Sequence, residues 1–369
     1  MLTILKNARV DRAGAYDDAR CGGLSEARFL RARDFIRGVP GYAATPLLSL
    51  DDVAAHAGVS AVGYKAEALR FGLGSFKALG GVYGVAIALG RQDAPGSPGA
   101  EGSGLPEGAA SMVCCATDGN HGRAVAWAAR RAGCRAVVFV GDPCSAGAEA
   151  RIRGEGAAIV RISGSYEDAH DAVVRSASEN GWLLVSDTAV PGNERIPGAI
   201  MDAYQVVVDE ALGDAAEPPT HVIVQAGTGG LAAAVCAYFW RRDGARRPVL
   251  VVVESDQAAS LMRSAARGES VRIEGPHRTR MAGLACGEAS LLAWSVLSTG
   301  ADCFAALSDA ALPAAREVIA RGESGARLSA AGDSGLAGLA ALCALAGDPD
   351  AWRTVGLGPR SRILLIGTE

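Results

Sequence analysis

The feature that most constrains the fold of this chain is the alternation of short apolar segments with alanine-rich segments. The apolar segments are almost continuously hydrophobic, which is typical of parallel strands in a sheet that is covered by helices on both faces. Because parallel strands need a crossover between them, this order predicts an α/β fold with mainly parallel sheets flanked by helices. The predicted strands are residues 111–117, 135–141, 157–162, 182–187, 221–226, 248–254 and 362–367. The predicted helices, each ending near a glycine, are residues 121–133, 167–181 and 231–244.

Composition and charge narrow the class of protein. A chain of 369 residues with 49% hydrophobic residues can bury the cores of two domains, and a formal net charge of −4 gives no reason to expect nucleic acid as a partner. No apolar run reaches the ~20 residues of a membrane helix, and the N-terminal segment has no apolar core typical of a secretory signal. The nine cysteines include no C-x-x-C pair, and the five histidines are scattered. We therefore expect a cytoplasmic protein with reduced thiols, no membrane partner and no metal site.

One lysine follows the segment Gly-Leu-Gly-Ser-Phe and stands at the start of an apolar helical stretch. This is Lys77, preceded by Phe76, in a chain where lysine is scarce and arginine is common. A lysine in a partly buried site can form an imine with a carbonyl group. The alternative is a solvated lysine at the start of a helix, and this segment taken alone favours that alternative.

A polar turn connects a predicted strand to a predicted helix. The strand ends at Thr117, and Asp118, Gly119, Asn120 and His121 follow. The N–H groups exposed at such a turn bind anions, which suits a substrate carboxylate. Asn120 can donate to a phenolate oxygen, and Asp118 can take or give a proton. The alternative is that Asp118 and Asn120 cap the helix, since both residue types favour that position.

A glycine-rich loop follows the predicted strand at 221–226. Its residues Gly227, Thr228, Gly229 and Gly230 lead into a helix that begins near Leu231, and such a loop lets the backbone approach a phosphate group at a helix N-terminus. The spacing of Gly227, Gly229 and Ala232 also fits the dinucleotide fingerprint. Glu254, at the end of the next strand, stands where a ribose-binding acid would lie. The sequence of this loop is therefore also consistent with an NAD-dependent oxidoreductase.

The order S-F-K, T-D-G-N-H-G and then strand–GTGG–helix resembles the fold-type II pyridoxal-phosphate (PLP) enzymes, the group of tryptophan synthase β and threonine deaminase. Within that group the chain is similar to the diaminopropionate ammonia-lyase family, because T-D-G-N-H-G occurs together with G-L-A-C-G-E, which ends in Glu288. Most relatives carry serine where Asp118 stands. The resemblance covers about residues 40–369, through the further segments GSYEDA, SDTA, RIPGAIMDAY and GDSGLAGLAAL.

This resemblance implies PLP as cofactor and a carbon–nitrogen lyase that removes ammonia from 2,3-diaminopropionate, L and D, to give pyruvate and ammonia. It implies that Lys77 holds the cofactor as an imine and acts as a base at Cα, and that Asp118 is a second base on the opposite face. Asp187 would be the third catalytic residue and would line the substrate pocket. The implied cofactor contacts are Phe76 beside the ring, Asn120 at the 3′ oxygen, Gly227, Thr228, Gly229, Gly230 and Leu231 at the phosphate, and Thr368 near the pyridine nitrogen. The implied substrate contacts are Thr117, Gly119, His121, Tyr166 and Glu288.

The resemblance also implies two domains and a homodimer. Residues 1–82 and 210–369 would form a large PLP-binding domain, and residues 83–209 a small inserted domain, with the cofactor between them. Residues 91–111, rich in Gly, Pro, Ala and Ser, predict a surface loop.

Departures from the family leave the substrate open. The stretch VPGN at 190–193 replaces a W-E-G-Y-like segment, and Asp333 stands where the family has glutamate. Three alternatives follow: a related PLP enzyme that eliminates or replaces another β-substituent in a specialised pathway, an NAD-dependent oxidoreductase, and a PLP-binding relative without activity.

Overall fold

The computed structural model describes residues 1–19, 21–91, 112–117, 119–322 and 324–369. Asp118 and nearly all of the predicted loop at 91–111 lie outside these ranges. The chain divides into two compact units, each with its own sheet. Unit 1 comprises Met1–Leu24, Thr45–Ala68 and Val207–Glu369, and unit 2 comprises Ser25–Ala44 and Leu69–Val206.

The described strands are numbered here in chain order: β1 (Leu2–Lys6), β2 (Leu47–Ser49), β3 (Ala61–Ala66), β4 (Met112–Ala116), β5 (Arg135–Val140), β6 (Ala158–Arg161), β7 (Leu183–Leu184), β8 (His221–Gln225), β9 (Val249–Ser255), β10 (Cys303–Leu307) and β11 (Arg362–Gly367). The described α-helices are α1 (Glu26–Arg37), α2 (Asp51–Ala57), α3 (Lys77–Ala88), α4 (Asn120–Arg131), α5 (Ala146–Gly154), α6 (Tyr166–Asn180), α7 (Arg195–Tyr204), α8 (Val206–Asp214), α9 (Gly230–Asp243), α10 (Ser260–Arg267), α11 (Leu291–Gly300), α12 (Leu312–Arg321), α13 (Ser324–Leu328), α14 (Ala337–Ala346) and α15 (Pro349–Val355).

The sheet of unit 1 has the strand order β1-β10-β9-β8-β11-β3-β2. Its inner strands are parallel, and β1 and β2 pair antiparallel at the two edges. All five residues of β8 are buried. Ile223 packs in the same core as Leu339 of α14, and its neighbours Val222 and Val224 are buried on the other face. This central position explains why β8 shows no polar–apolar alternation.

The sheet of unit 2 has the order β6-β5-β4-β7, and all of its pairs are parallel. Helix α3 packs between α4 and α7. A Cβ atom at Gly81 would lie 2.6 Å from Cβ of Ala124, and one at Gly80 would lie 2.7 Å from the ring of Tyr204. Only glycine allows this close approach, which fixes the position of Lys77 at the start of α3.

The predicted α/β class with mainly parallel sheets is confirmed. The predicted strand at 182–187 is wrong in length, because β7 ends at Leu184 and Ser186 then closes a turn by accepting a hydrogen bond from the backbone N–H of Thr188 at 3.1 Å. The four strands β1, β2, β3 and β10 were not predicted. The expected domain limits differ from the two units, since residues 25–44 and 69–82 fall in unit 2, where α1 and α3 both pack on α7.

Two kinds of feature are absent from the described residues. Within them, no helix combines the length and apolarity that crossing a bilayer requires. The same ranges hold no group of three or more His, Cys, Asp or Glu side chains arranged to bind a metal ion.

Candidate active site

In unit 2, the amine of Lys77 lies between a carboxylate and two aromatic rings. Lys77 is the first residue of α3, and its Nζ donates a hydrogen bond to Oδ2 of Asp187. The same Nζ lies 5.2 Å from the ring centre of Phe76 and 5.8 Å from that of Tyr204, within reach of cation–π attraction. The side chain is 24% exposed. The amine is therefore held in place and still open to a small reactant.

Asp187 lies in the turn after β7, at the carboxyl end of the sheet. Burial acts to raise its pKa, but the charge that His121 carries when it is protonated, the charge of Lys77 and the hydrogen bond from Lys77 outweigh burial and hold the pKa well below the usual range. Asp187 is therefore ionised at neutral pH. Asp187 is the counter-ion of the Lys77 amine.

His121 lies next to Asp187 of the Lys77–Asp187 pair, in the first turn of α4. Its Nε2 lies 2.8 Å from the backbone oxygen of Val185, and its Nδ1 lies 3.9 Å from Oδ2 of Asp187. Burial lowers the pKa of His121, the charge of Asp187 raises it, and the charge of Lys77 lowers it further. The imidazole is neutral at neutral pH.

The polar turn before α4 is organised by Thr117. The hydroxyl of Thr117 accepts hydrogen bonds from the backbone N–H groups of Gly119, at 2.9 Å, and of Gly122, at 3.1 Å. Asn120 is half-buried at the start of the helix. Thr117 thus shapes the turn with its side chain and is 3% exposed. Asp118, the predicted second base, lies outside the described residues.

Tyr166 begins α6 in the same unit. Its hydroxyl lies 3.3 Å from that of Thr188, one residue after Asp187. Tyr166 is therefore close in space to the turn that carries Asp187.

In unit 1, the loop from Gly227 to Leu231 has the geometry of a phosphate cradle. Gly229 has φ of +91°, and a Cβ atom there would lie 3.0 Å from Cβ of Ala293; one at Gly227 would lie 2.7 Å from the backbone oxygen of Gly283. Side chains are thus excluded on one side, and the first N–H groups of α9 have no partner within the helix. Thr228 helps to fix the loop through its backbone oxygen, which accepts a hydrogen bond from the N–H of Ser290 at 2.9 Å.

Thr368 follows β11 and is held by Gln225 at the end of β8. Nε2 of Gln225 donates to the backbone oxygen of Ile366 at 2.8 Å and to Oγ1 of Thr368 at 3.0 Å. The backbone oxygen can only accept, so the amide orientation is determined. Oγ1 therefore accepts from Gln225, and its own hydrogen is available for an acceptor outside this pair.

Two glutamates of unit 1 were considered as ligand-binding residues in the sequence analysis. Glu254 is fully buried, and its two oxygens accept from the N–H groups of Leu261 and Met262, each at 2.8 Å. Burial raises its pKa to about 8. Glu254 caps α10 and cannot reach a ribose, so this part of the dinucleotide interpretation is wrong. Glu288 is half-exposed, 3.9 Å from Arg272.

Two residues were missed by sequence reasoning. Tyr204 lies in the segment RIPGAIMDAY, but in a helix of mostly apolar residues nothing marked it as a neighbour of Lys77; its ring centre is 4.7 Å from that of Phe76. Burial raises its pKa. Gln225 carried a usable signal, because it is a polar residue at the end of an otherwise apolar buried strand.

These residues fit the implied cofactor. The glycine loop at the N-terminus of α9 suits a phosphate group, because the first N–H groups of the helix have no partner within it and packing leaves no room for a side chain at Gly227. A reachable lysine amine beside an ionised carboxylate suits an aldehyde carbon. The hydroxyl of Thr368, with a hydrogen to donate, suits a pyridine nitrogen.

The comparisons with known proteins agree with this fit. Residues 39–358 match the family model described as pyridoxal-phosphate dependent enzyme. The curated diaminopropionate ammonia-lyase of Escherichia coli (strain K12) is 33% identical over 354 residues, which are 94% of this chain and 89% of that protein. Two crystal structures of the Escherichia coli enzyme were also found. The complex with D-serine has a TM-score of 0.88 at 29% identity, and the complex with the aminoacrylate-PLP azomethine reaction intermediate has 0.87 at 30%; each match covers 100% of this chain and 94% of the other.

The match excludes the NAD-dependent alternative and confirms the resemblance, the fold class and the cofactor. It extends over most of the chain, with the lysine, the polar turn and the glycine loop inside it. This chain therefore belongs to the pyridoxal-phosphate dependent enzymes, has their fold-type II architecture, and uses PLP as its cofactor.

Proposed function

We propose that this protein is a PLP-dependent ammonia-lyase that eliminates ammonia from 2,3-diaminopropionate and yields pyruvate and ammonia. The observation that carries the proposal is the similarity to the Escherichia coli diaminopropionate ammonia-lyase over 94% of the chain. The pairing of Lys77 with Asp187 supports it, because an elimination needs a base that can afterwards return its proton to the leaving amine.

The chain's own groups have distinct roles in this proposal. When bound, PLP supplies the electron sink for the carbanion at Cα. Lys77 attaches the cofactor and takes the Cα proton of the L-substrate. The negative charge of Asp187 stabilises the ammonium group that Lys77 then carries. The loop from Gly227 to Leu231 binds the phosphate, Asn120 donates to the 3′ oxygen, Phe76 flanks the ring, and Thr368 donates to the pyridine nitrogen.

The substrate contacts follow from the polar turn. The N–H groups near Gly119 bind the substrate carboxylate, with Thr117 maintaining the turn through its two accepted hydrogen bonds. The hydroxyl of Tyr166 lines the pocket beside Asp187, and Glu288 attracts the positively charged β-amine. Asp118 is proposed as the base on the opposite face.

The test is a panel of amino acids with pyruvate and ammonia as readouts. Purified protein with PLP is incubated with L- and D-2,3-diaminopropionate, serine, threonine and cysteine. We expect 2,3-diaminopropionate to give the highest kcat/KM, with two ammonia released per pyruvate by the reaction's stoichiometry. Turnover of another amino acid alone, or a substituted product on adding nucleophiles, would instead identify the alternative elimination or replacement enzyme.

Lys77→Ala tests the attachment of the cofactor. The wild-type protein is expected to be yellow, and the variant to lose the visible imine band because no amine remains to bond to the cofactor. Absorbance spectra before and after added PLP measure this. A protein that shows the band but turns over no substrate would be the non-catalytic relative.

We further propose that the enzyme is a cytoplasmic homodimer. Buried thiols such as Cys114, Cys115 and Cys236 suit a reducing compartment. Light scattering coupled to size-exclusion chromatography measures the oligomeric state, and twice the chain mass of 37.5 kDa is expected.

A further inference from the structure

We propose that His121 accepts, at Nδ1 and through Asp187, the proton that Lys77 must lose before its amine can react. This inference rests on the proposed function for the role of Lys77 and extends it. The resemblance assigns His121 to the substrate, whereas its position behind Asp187 favours a role in proton transfer.

The tautomer of His121 follows from its surroundings. The backbone oxygen of Val185 can only accept a hydrogen bond, so Nε2 at 2.8 Å carries the ring hydrogen and donates it. In a neutral ring Nδ1 is then a bare lone pair. That atom is buried, has no hydrogen-bond partner within the described ranges, and faces Oδ2 of Asp187 at 3.9 Å. The ring is 4% exposed, so solvent does not satisfy it.

The proton that the Lys77 amine carries in the ion pair must move to another group. The amine of Lys77 is charged while it is paired with Asp187, but only a neutral amine can bond to an aldehyde carbon or take a proton from Cα. If the proton went to solvent, Asp187 would remain as an isolated buried charge, which is strongly unfavourable. Asp187 itself is a poor final acceptor, because the charge of a protonated His121 lowers the pKa of Asp187 even after the charge of Lys77 is lost.

Transfer to His121 avoids the isolated charge. One N–H bond of the Lys77 ammonium breaks, Oδ2 of Asp187 passes the proton on, and an N–H bond forms at Nδ1. The pair Lys77⁺–Asp187⁻ becomes the pair His121⁺–Asp187⁻, and the net charge of the three groups is unchanged. The 3.9 Å gap must shorten by about 1 Å to reach the length of a charged hydrogen bond, and the new attraction favours that movement.

The surrounding charges make proton transfer to His121 depend on the protonation state of Lys77. Among the described residues, the titratable groups that face the ring are Lys77 of α3, Asp187 after β7 and, beside Asp187, the buried thiol of Cys115 on β4. The charge of Lys77 lowers the pKa of His121, whereas that of Asp187 raises it. When the Lys77 amine becomes neutral, the charge of Asp187 remains, and this charge raises the pKa of His121. His121 therefore becomes more basic at the moment when the proton has to be held.

His121→Gln separates this role from a structural one. The amide nitrogen of glutamine takes the place of Nε2 and can still donate to Val185, but the side chain cannot accept a proton. His221→Gln, a buried histidine of unit 1 on β8, is the matched control.

The first measurement is ¹⁵N NMR of the histidines in full-length, cofactor-free protein, with the His121 signal identified by its loss in His121→Gln. We expect Nδ1 to be unprotonated in the wild type at pH 7. In Lys77→Met, which removes the cation beside Asp187, we expect the pKa of His121 to rise by one unit or more. A His121 pKa unchanged in Lys77→Met would overturn the proposal.

The second measurement is the pH dependence of PLP binding, followed by the visible band. In His121→Gln the proton of Lys77 must leave to solvent, so the acidic limb of the rate should move about one pH unit higher, with His221→Gln unchanged. Superimposable profiles for His121→Gln and the wild type would refute the relay. Both measurements are independent of the substrate, so a failure of 2,3-diaminopropionate as substrate would sink the proposed function without affecting them.

Discussion

At the scale of single residues, the amine of Lys77 is defined by what surrounds it. Asp187 supplies one negative charge, and the rings of Phe76 and Tyr204 supply two polarisable faces. Each of these favours the charged amine. A lysine with such neighbours can keep the proton it takes from a substrate until the leaving group needs it, which is what an elimination demands.

Asp118→Asn tests the base for the D-substrate. One lysine on one side of the cofactor cannot readily remove the Cα proton from both enantiomers, so an aspartate in the T-D-G-N-H-G turn is expected to serve the other face. Loss of a general base typically costs about 10²–10⁴ in rate. We expect kcat/KM for D-2,3-diaminopropionate to fall by that factor and the value for the L-form to change far less. Asparagine caps helices as well as aspartate, so equal retention of both activities would mean that Asp118 only caps α4.

Gln225→Met tests the orientation of the Thr368 hydroxyl. Methionine keeps the volume of glutamine and removes both donated hydrogen bonds, so the hydroxyl can rotate away from the pyridine nitrogen. A hydrogen bond of this kind is worth about 0.5–1.5 kcal/mol, so we expect PLP affinity to fall several-fold and the pH titration of the visible band to shift. Thr368→Ser, which keeps a hydroxyl, is the control. A Gln225→Met titration that matches the wild type would place the pyridine nitrogen away from Thr368.

At the scale of elements, the glycine loop depends on the helices packed against it. Leu261 of α10 would lie 3.2 Å from a Cβ atom at Gly229, and α10 is in turn fixed by the carboxyl group of Glu254 at its N-terminus. Ala293 of α11 closes the other side at 3.0 Å. The loop conformation is therefore imposed by tertiary packing as much as by its own glycines.

Gly229→Ala and Gly229→Asp test this loop in two steps. Alanine adds a Cβ atom in a left-handed conformation and 3.0 Å from Ala293, so we expect PLP affinity to fall about tenfold. Aspartate adds charge repulsion with the phosphate, of the order of 4 kcal/mol at 4 Å for an effective dielectric constant near 20, so its loss should be much larger. Gly213→Ala in α8, where a Cβ atom meets nothing within 4 Å, should bind PLP as the wild type does. Titration of cofactor-free protein with PLP gives the affinities, and equal values for all variants would show that the phosphate binds elsewhere.

At the scale of the whole molecule, the cofactor is expected to contribute to the stability of the folded chain. A ligand that binds only the folded state adds about 2.7 kcal/mol when its concentration is one hundred times Kd. We therefore expect cofactor removal to lower the Tm by several degrees and added PLP to restore it, as measured by calorimetry. Lys77→Ala should show a smaller recovery, because it loses the covalent attachment. Identical Tm values with and without PLP would contradict a bound cofactor.

The α/β class was predictable from the chain because buried parallel strands must be apolar on both faces, as β5, β8 and β9 are. The strands β1 and β10 were not predicted, because β1 is a partly exposed edge strand and β10 contains few large apolar residues, so neither forms the continuous apolar run of a central strand. The sequence also did not predict that Ser25–Ala44 belongs to unit 2, because this depends on packing between α1 and α7, which are far apart in the sequence.

The sequence by itself determined the cofactor chemistry of this protein. Lys77, the polar turn and the glycine loop each form a local motif whose backbone geometry follows from a few adjacent residues, and their order along the chain identified the family. Only the tertiary structure decided which groups act on the lysine. Asp187 lies 110 positions from Lys77, and His121 meets Asp187 only because β4 and β7 are parallel neighbours whose carboxyl ends lie side by side. Contacts of this kind depend on how helices and strands pack, and no local pattern of residues encodes them.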